Sequence, residues 1–120
     1  MLVELLTIQN QIRVFHWQTK EYSVHLATDK TYEELDGKID KFIEVFSGKY
    51  GHIYNNGGFT LKLDNVESES TITSFVDKNI EYLTNELPKA YKETDTDLSN
   101  IRDEMLATLN QLKYLLSLSS

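Results

Sequence analysis

Residues Arg13–Leu26 read RVFHWQTKEYSVHL, a stretch that holds two of the three histidines, His16 and His25, and the single tryptophan, Trp17. Upstream of it Leu5, Ile8, Ile12 and Phe15 recur at helical spacing, which predicts an amphipathic helix over about residues 2–19. At about 100° per residue His16 falls on the apolar face of that helix, and Trp17 turns toward its edge. A histidine on such a face needs a partner. Downstream, Ser23 is an N-cap candidate for a second helix running to Ser47 or Gly48, with Gly51 beyond its end. Its apolar stripe is Tyr32, Leu35, Ile39, Phe42, Ile43 and Phe46. Beside that stripe His25, Asp29, Glu33, Asp36, Asp40 and Glu44 share about one quadrant, while Lys30, Lys38 and Lys41 lie elsewhere on the wheel. The quoted stretch is therefore the end of one helix, a short turn and the start of the next.

The helical pattern stops between Lys49 and Ser68. Asn55-Asn56-Gly57-Gly58 is a turn signal, and the alternation of Phe59, Leu61 and Leu63 is compatible with a short β-hairpin. A second helix of roughly 25 residues is about 38 Å long, and a connection of about 18 residues reaches up to about 60 Å when extended. The chain can thus return along the bundle, so that the third helix runs parallel to the second, or it can spend the same residues on a local hairpin. Ile72, Phe75, Val76, Ile80 or Asn79, Leu83 and Leu87 mark the third helix, stopped by Pro88. After the polar link KAYKETDTD, a fourth helix carries Leu98, Ile101, Met105, Leu109, Leu112 and Leu116. Four amphipathic helices in one chain, without internal repeats, predict an all-α four-helix bundle as a single domain over residues 1–120.

The chain of 120 residues is 40% hydrophobic with one proline, a composition of globular rather than disordered chains. Nineteen acidic against 12 basic side chains leave a net charge of −7, which argues against nucleic acid or anionic lipid as partner and does not oppose cations. There is no cysteine, so disulfides, thiolate zinc sites and iron–sulfur clusters are excluded, and any metal would rest on imidazole and carboxylate. The segment MLVELLTIQNQIRVF lacks the basic leader and unbroken apolar run of a signal peptide. No segment approaches the roughly 20 apolar residues of a membrane span. A soluble protein of the cytoplasm is the expectation.

A di-iron bundle takes a Glu-x-x-His pair from each of two helices. This chain has none, and its third and fourth helices hold no histidine. His25 and Asp40 are 15 residues apart on one helix, about 22 Å, whereas metal–ligand bonds are about 2 Å. If two copies packed with their second helices antiparallel about a two-fold axis, His16 and His25 of one would meet Asp40 and Glu44 of the other, an i,i+4 pair on one face. Two such sites would arise per homodimer.

FHWQTKEYSVH followed by YEELDGKIDKFIE resembles the ferritin-like family of starvation-induced DNA-protecting proteins, the Dps or mini-ferritin family. The resemblance covers roughly residues 12–50 and implies a ferroxidase site across a dimer interface, within a twelve-subunit shell. By position it maps the metal ligands onto His16, His25, Asp40 and Glu44, with Trp17 beside them. It implies iron as the metal, and two imidazoles with two carboxylates suit zinc or manganese as alternatives. A closer resemblance, on QNQ…FHWQTK and DKFIEVFSGKYG, is to small ferritin-like proteins of phages and large DNA viruses, which implies a fold and no activity. The lysine-rich tail by which some mini-ferritins bind DNA is missing.

Other readings stay open beside this one. His16 and His25 are equally compatible with hydrogen-bonded core. Asp29, Glu33 and Asp36 read as a solvated flank or as salt-bridge partners in a dimer. His25 with Asp29 one turn away and His16 opposite forms a rival local site. Tyr22, Tyr32, Tyr50 and Tyr54 read as interface or core aromatics, and His52 as a loop residue. The competing class is a non-enzymatic structural or interaction protein that keeps the bundle and uses its polar residues to fix register.

Overall fold

Four helices, α1 (Leu2–Gln18), α2 (Tyr22–Tyr50), α3 (Glu69–Glu81) and α4 (Thr96–Ser117), build the fold in a computed structural model that describes residues 1–119. The apolar stripes read from the sequence are the faces that pack. Leu5, Ile8, Ile12 and Phe15 of α1 meet Leu35, Ile39 and Phe42 of α2, Ile72 and Val76 of α3, and Leu98, Ile101, Met105, Leu109, Leu112 and Leu116 of α4 in one buried core. On the third helix it is Asn79 that is buried, with Ile80 half-buried. The Asn79 side chain satisfies itself by donating to the Phe75 carbonyl one turn back. Beyond Glu81 the chain widens into a π turn, Tyr82–Glu86, and tightens into a 3₁₀ turn, Leu87–Ala90. This change of winding keeps both Leu83 and Leu87 in the core as Pro88 ends the helix.

The helix directions follow from cross-helix pairs. His16 meets His25 and Gln9 meets Asp36, so α1 and α2 are antiparallel. Lys38 bonds Thr108 and Lys49 bonds Asp97, so α2 and α4 are antiparallel. Thr19 bonds Glu69 and Phe15 packs edge-on to Phe75, rings 5.3 Å apart, while Lys113 pairs with Asp77, so α3 opposes both α1 and α4. Consequently α3 runs parallel to α2, and the crossover must travel the length of the bundle.

It does so as extended chain, and the β-hairpin does not form: there is no strand among the described residues. The turn at Asn55–Gly58 is made, with Gly57 and Gly58 at φ 79° and 82° and the Asn55 side chain donating to the Gly58 carbonyl. The chain after it pairs with glutamines of α1 instead of with another strand. Gln11 donates to the Asp64 carbonyl at 2.9 Å and accepts from the Asp64 amide at 2.6 Å; Gln18, two turns on, accepts from Val66 N–H at 2.8 Å and donates to the Asn65 side-chain oxygen at 2.8 Å. A side-chain amide carries the same donor and acceptor as a peptide unit, so two glutamines on one helix face serve as a surrogate strand edge.

The ends of α2 also differ from the sequence reading. Helix α2 starts at Tyr22, with Glu21 at the N-cap position and no side-chain cap, because Thr19 Oγ1 accepts the Glu21 N–H and closes the turn before Ser23 is reached. It passes through Gly48 and stops at Gly51, where φ of 92° suits a residue without Cβ. That end is knitted to α4 by Lys49, 3.2 Å from Asp97 and 3.5 Å from Asp95, and by the Tyr50 hydroxyl donating to Asp95. The Tyr50 bond, the Lys92 N–H and the Lys49 cation hold the Asp95 carboxyl below its ordinary pKa, and the same bond to Asp95 raises that of Tyr50.

Candidate functional site

The three-residue turn Thr19–Glu21 brings the last turn of α1 directly against the first of α2, and with it His16 against His25. Their rings are stacked, with centroids 3.8 Å apart and planes 17° apart. Nδ1 of His16 lies 2.8 Å from the His25 carbonyl, and Nδ1 of His25 lies 2.8 Å from the His16 carbonyl. A carbonyl only accepts, so each Nδ1 carries the proton and donates, and in the neutral ring the lone pair sits on Nε2. His16 is buried at 8% exposure, with the buried Thr28 beside its ring, and His25 is half-buried. The two histidines form a reciprocal tie between helices.

Asp29 stands next to this pair with its Oδ1 4.0 Å from His16 Nε2, but it also faces Arg13, whose Nη1 is 3.7 Å away. Arg13 sits over Tyr32, Cζ 3.9 Å from the ring centre, and 5.7 Å from that of the exposed Trp17. The structure thus places Asp29 beside His16, which is stacked on His25, with the Arg13 guanidinium also facing Asp29. Rings stacked face to face cannot both aim an in-plane lone pair at one ion with bonds of about 2 Å. Among the described residues no three His, Asp or Glu side chains of the chain converge into a metal-holding group.

Asp40 and Glu44 are not brought near the histidines within the chain. They lie fifteen and nineteen residues past His25 on the same helix, about 22 Å and 28 Å along its axis. Both are exposed and neither makes an ion pair among the described residues. Asp40 borders a shallow groove with Leu2, Leu6, Asp36 and Ile43, and Glu44 shares an open hollow of about 510 Å³ with the exposed His52. Asp36 accepts from Gln9 and so ties α2 to α1, while Glu33 is exposed. Of Tyr22, Tyr32, Tyr50 and Tyr54, Tyr32 packs half-buried against the core and the other three are exposed. Gln11 and Gln18 escaped the sequence reading. The signal for them is their place at the border of the apolar stripe of α1, seven residues apart.

An all-α four-helix bundle with a long crossover and a histidine tie at its first turn is the class that fold and site define. The chain belongs to a family of unknown function, DUF5856, whose profile matches residues 16–116. It is similar to the uncharacterized 14.6 kDa protein of the mobD–ri intergenic region of Enterobacteria phage T4, with 29% identity over 114 residues, 95% of this chain and 83% of that one. No solved structure matches the chain significantly. No helix among the described residues is long and apolar enough to cross a membrane.

Proposed function

We propose that the chain is a phage-type, non-enzymatic interaction protein, a rigid bundle that presents a surface to a macromolecular partner in the infected cell or the particle. The observation that carries this reading is the reciprocal tie. Both imidazoles are engaged in joining α1 to α2, and the nearest carboxylate, Asp29, is already opposite Arg13. Similarity to a phage T4 protein supports the setting. The test is metal analysis of the purified protein with anaerobic Fe(II) titration of wild type and His25→Ala. No stoichiometric metal and no Fe(II) binding in either is expected. Binding by wild type that is lost in a folded His25→Ala overturns the reading.

One pair of observations favours a second reading, a ferritin-like, Dps-like ferroxidase site shared across a homodimer. A ring whose Nδ1–H is held by a carbonyl is oriented as metal-ligating histidines are, with Nε2 available. Asp40 and Glu44 are exposed, one turn apart and free of ion pairs among the described residues. In this reading His16 and His25 meet Asp40 and Glu44 of a second copy and take Fe(II) as substrate, with zinc or manganese as competitors. The reading requires a dimer that tightens with Fe(II) and loosens in Asp40→Asn, which sedimentation velocity resolves.

A further inference from the structure

The protein carries 19 acidic residues, yet none lies in residues 22–28 or 105–119, the first turns of α2 and the last half of α4. The carboxylates of α4, Asp97, Asp103 and Glu104, are all in its first half. Because α2 and α4 are antiparallel, these two acid-free segments lie side by side at one end of the bundle. Between them runs an open groove of about 310 Å³ lined by Leu26, Ala27, Lys30, Leu115 and Leu118, with Ser23 at its edge. Leu26 and Leu118 are 51% and 64% exposed. Each has an exposed tyrosine four residues before it, Tyr22 at 74% on α2 and Tyr114 at 61% on α4, which Leu118 caps. Exposed apolar side chains that share a groove mark an interaction surface more than scattered ones do.

We propose that this groove docks an amphipathic helix of another protein, with an apolar ridge and flanking carboxylates. The proposal rests on the interaction-protein reading and supplies its surface. Two antiparallel helices leave a furrow that a third helix fills with side chains at i, i+3, i+4 and i+7. The charge on the groove selects among occupants. Lys30 is exposed, is the one charged lining residue and makes no ion pair among the described residues. An apolar ridge laid over the groove takes water from that ammonium, which is unfavourable unless a carboxylate replaces it. A second copy docking the same face about a two-fold axis brings another Lys30 and no carboxylate among the described lining residues. An acidic helix brings one, and meets no carboxylate on the groove walls to repel it.

The test uses the full chain as bait for a displayed library of helical peptides with a fixed Leu ridge and flanking positions randomised among Glu, Lys and Gln. Enrichment of Glu-flanked peptides is expected, with affinity reduced at least tenfold by Leu26→Asp or Leu118→Asp and the flanking preference reversed toward lysine by Lys30→Glu. These side chains are solvent-facing, so circular dichroism should show all three variants folded as wild type. Lys-flanked or charge-blind enrichment, or no enrichment, overturns the proposal. Binders unaffected by both aspartate variants remove this surface while leaving the interaction-protein reading standing, which the metal titration judges separately. Sedimentation that shows dimers abolished by Leu118→Asp assigns the groove to a second copy, and co-sedimentation with phosphatidylglycerol vesicles abolished by the same change assigns it to lipid. Either result also overturns the proposal.

Discussion

Replacing His16 by alanine tests whether the imidazole pair is a structural tie. The substitution removes one hydrogen bond to a carbonyl, with a net contribution of about 1 kcal/mol. It also removes a ring stack, about 0.5–1.5 kcal/mol, and leaves a void where a ring only 8% exposed had been, about 1–2 kcal/mol for a site of that size. His16→Ala should therefore destabilise by about 3 kcal/mol, a fall in Tm of roughly 10–15 °C for a domain of this length. His25 is half-buried and loses the bond and the stack without a full void, so His25→Ala should cost about 2 kcal/mol. The stack disappears with either ring. The double variant should accordingly fall about 1 kcal/mol short of the two singles added together. Urea unfolding followed by circular dichroism at 222 nm, in buffer with chelator, measures all four proteins. Singles within 0.5 kcal/mol of wild type, strict additivity in the double variant, or a loss that appears only when metal is supplied would each refute the tie.

Three further outcomes are expected. Gln11→Leu keeps an apolar group at a buried position but strips both bonds from Asp64, so amide exchange at Asp64 should accelerate at least tenfold while core amides of α4 are unchanged; native-state hydrogen exchange reads this directly. The folded pKa of Asp95 is depressed below its unfolded value of 3.8, so its contribution is present above that pH and lost as pH falls through the folded value. Acid unfolding of Asp95→Asn should therefore depend less steeply on pH below about 4 than that of wild type, and an unchanged slope would count against the α2–α4 clamp. Leu109→Ala, at 0% exposure in the core, should cost about 3 kcal/mol by urea denaturation, whereas the exposed Asp40→Asn should stay within about 0.5 kcal/mol.

Much of the bundle is legible in the sequence because it follows from one periodic property. The stripe of α4 is buried at every position read from it, and the length of the crossover allows the parallel course of α3 that the Phe15–Phe75 and Lys113–Asp77 pairs display. What escapes periodicity is whatever a single polar side chain decides. Thr19 rather than Ser23 sets the start of α2. The alternation of Phe59, Leu61 and Leu63 promises a strand, but a strand needs a partner edge, and two glutamine amides on α1 take that place. At the site, the helical wheel puts His16 inward and His25 beside the apolar stripe, which is where both are found. Wheel geometry is silent about ring rotation, and rotation is what separates a tie from a chelate.

Either imidazole can keep its Nδ1 bond while its Nε2 meets a ligand outside the pair, so a weak single-ring contact costs the fold little. Sharing one ion is different. One ring must leave the stack, and it gives up its carbonyl bond if it swings far, a loss of about 1–2 kcal/mol that is subtracted from the metal affinity, roughly tenfold in Kd. The second copy would have to supply more than that through Asp40 and Glu44, two exposed carboxylates that also lose hydration on docking. A metal bound at the pair would therefore reveal itself twice, by a dimer that forms only with the ion and by loss of the coupling between His16 and His25 in the loaded state. A chain whose histidines remain coupled with Fe(II) present is using them to hold α1 against α2.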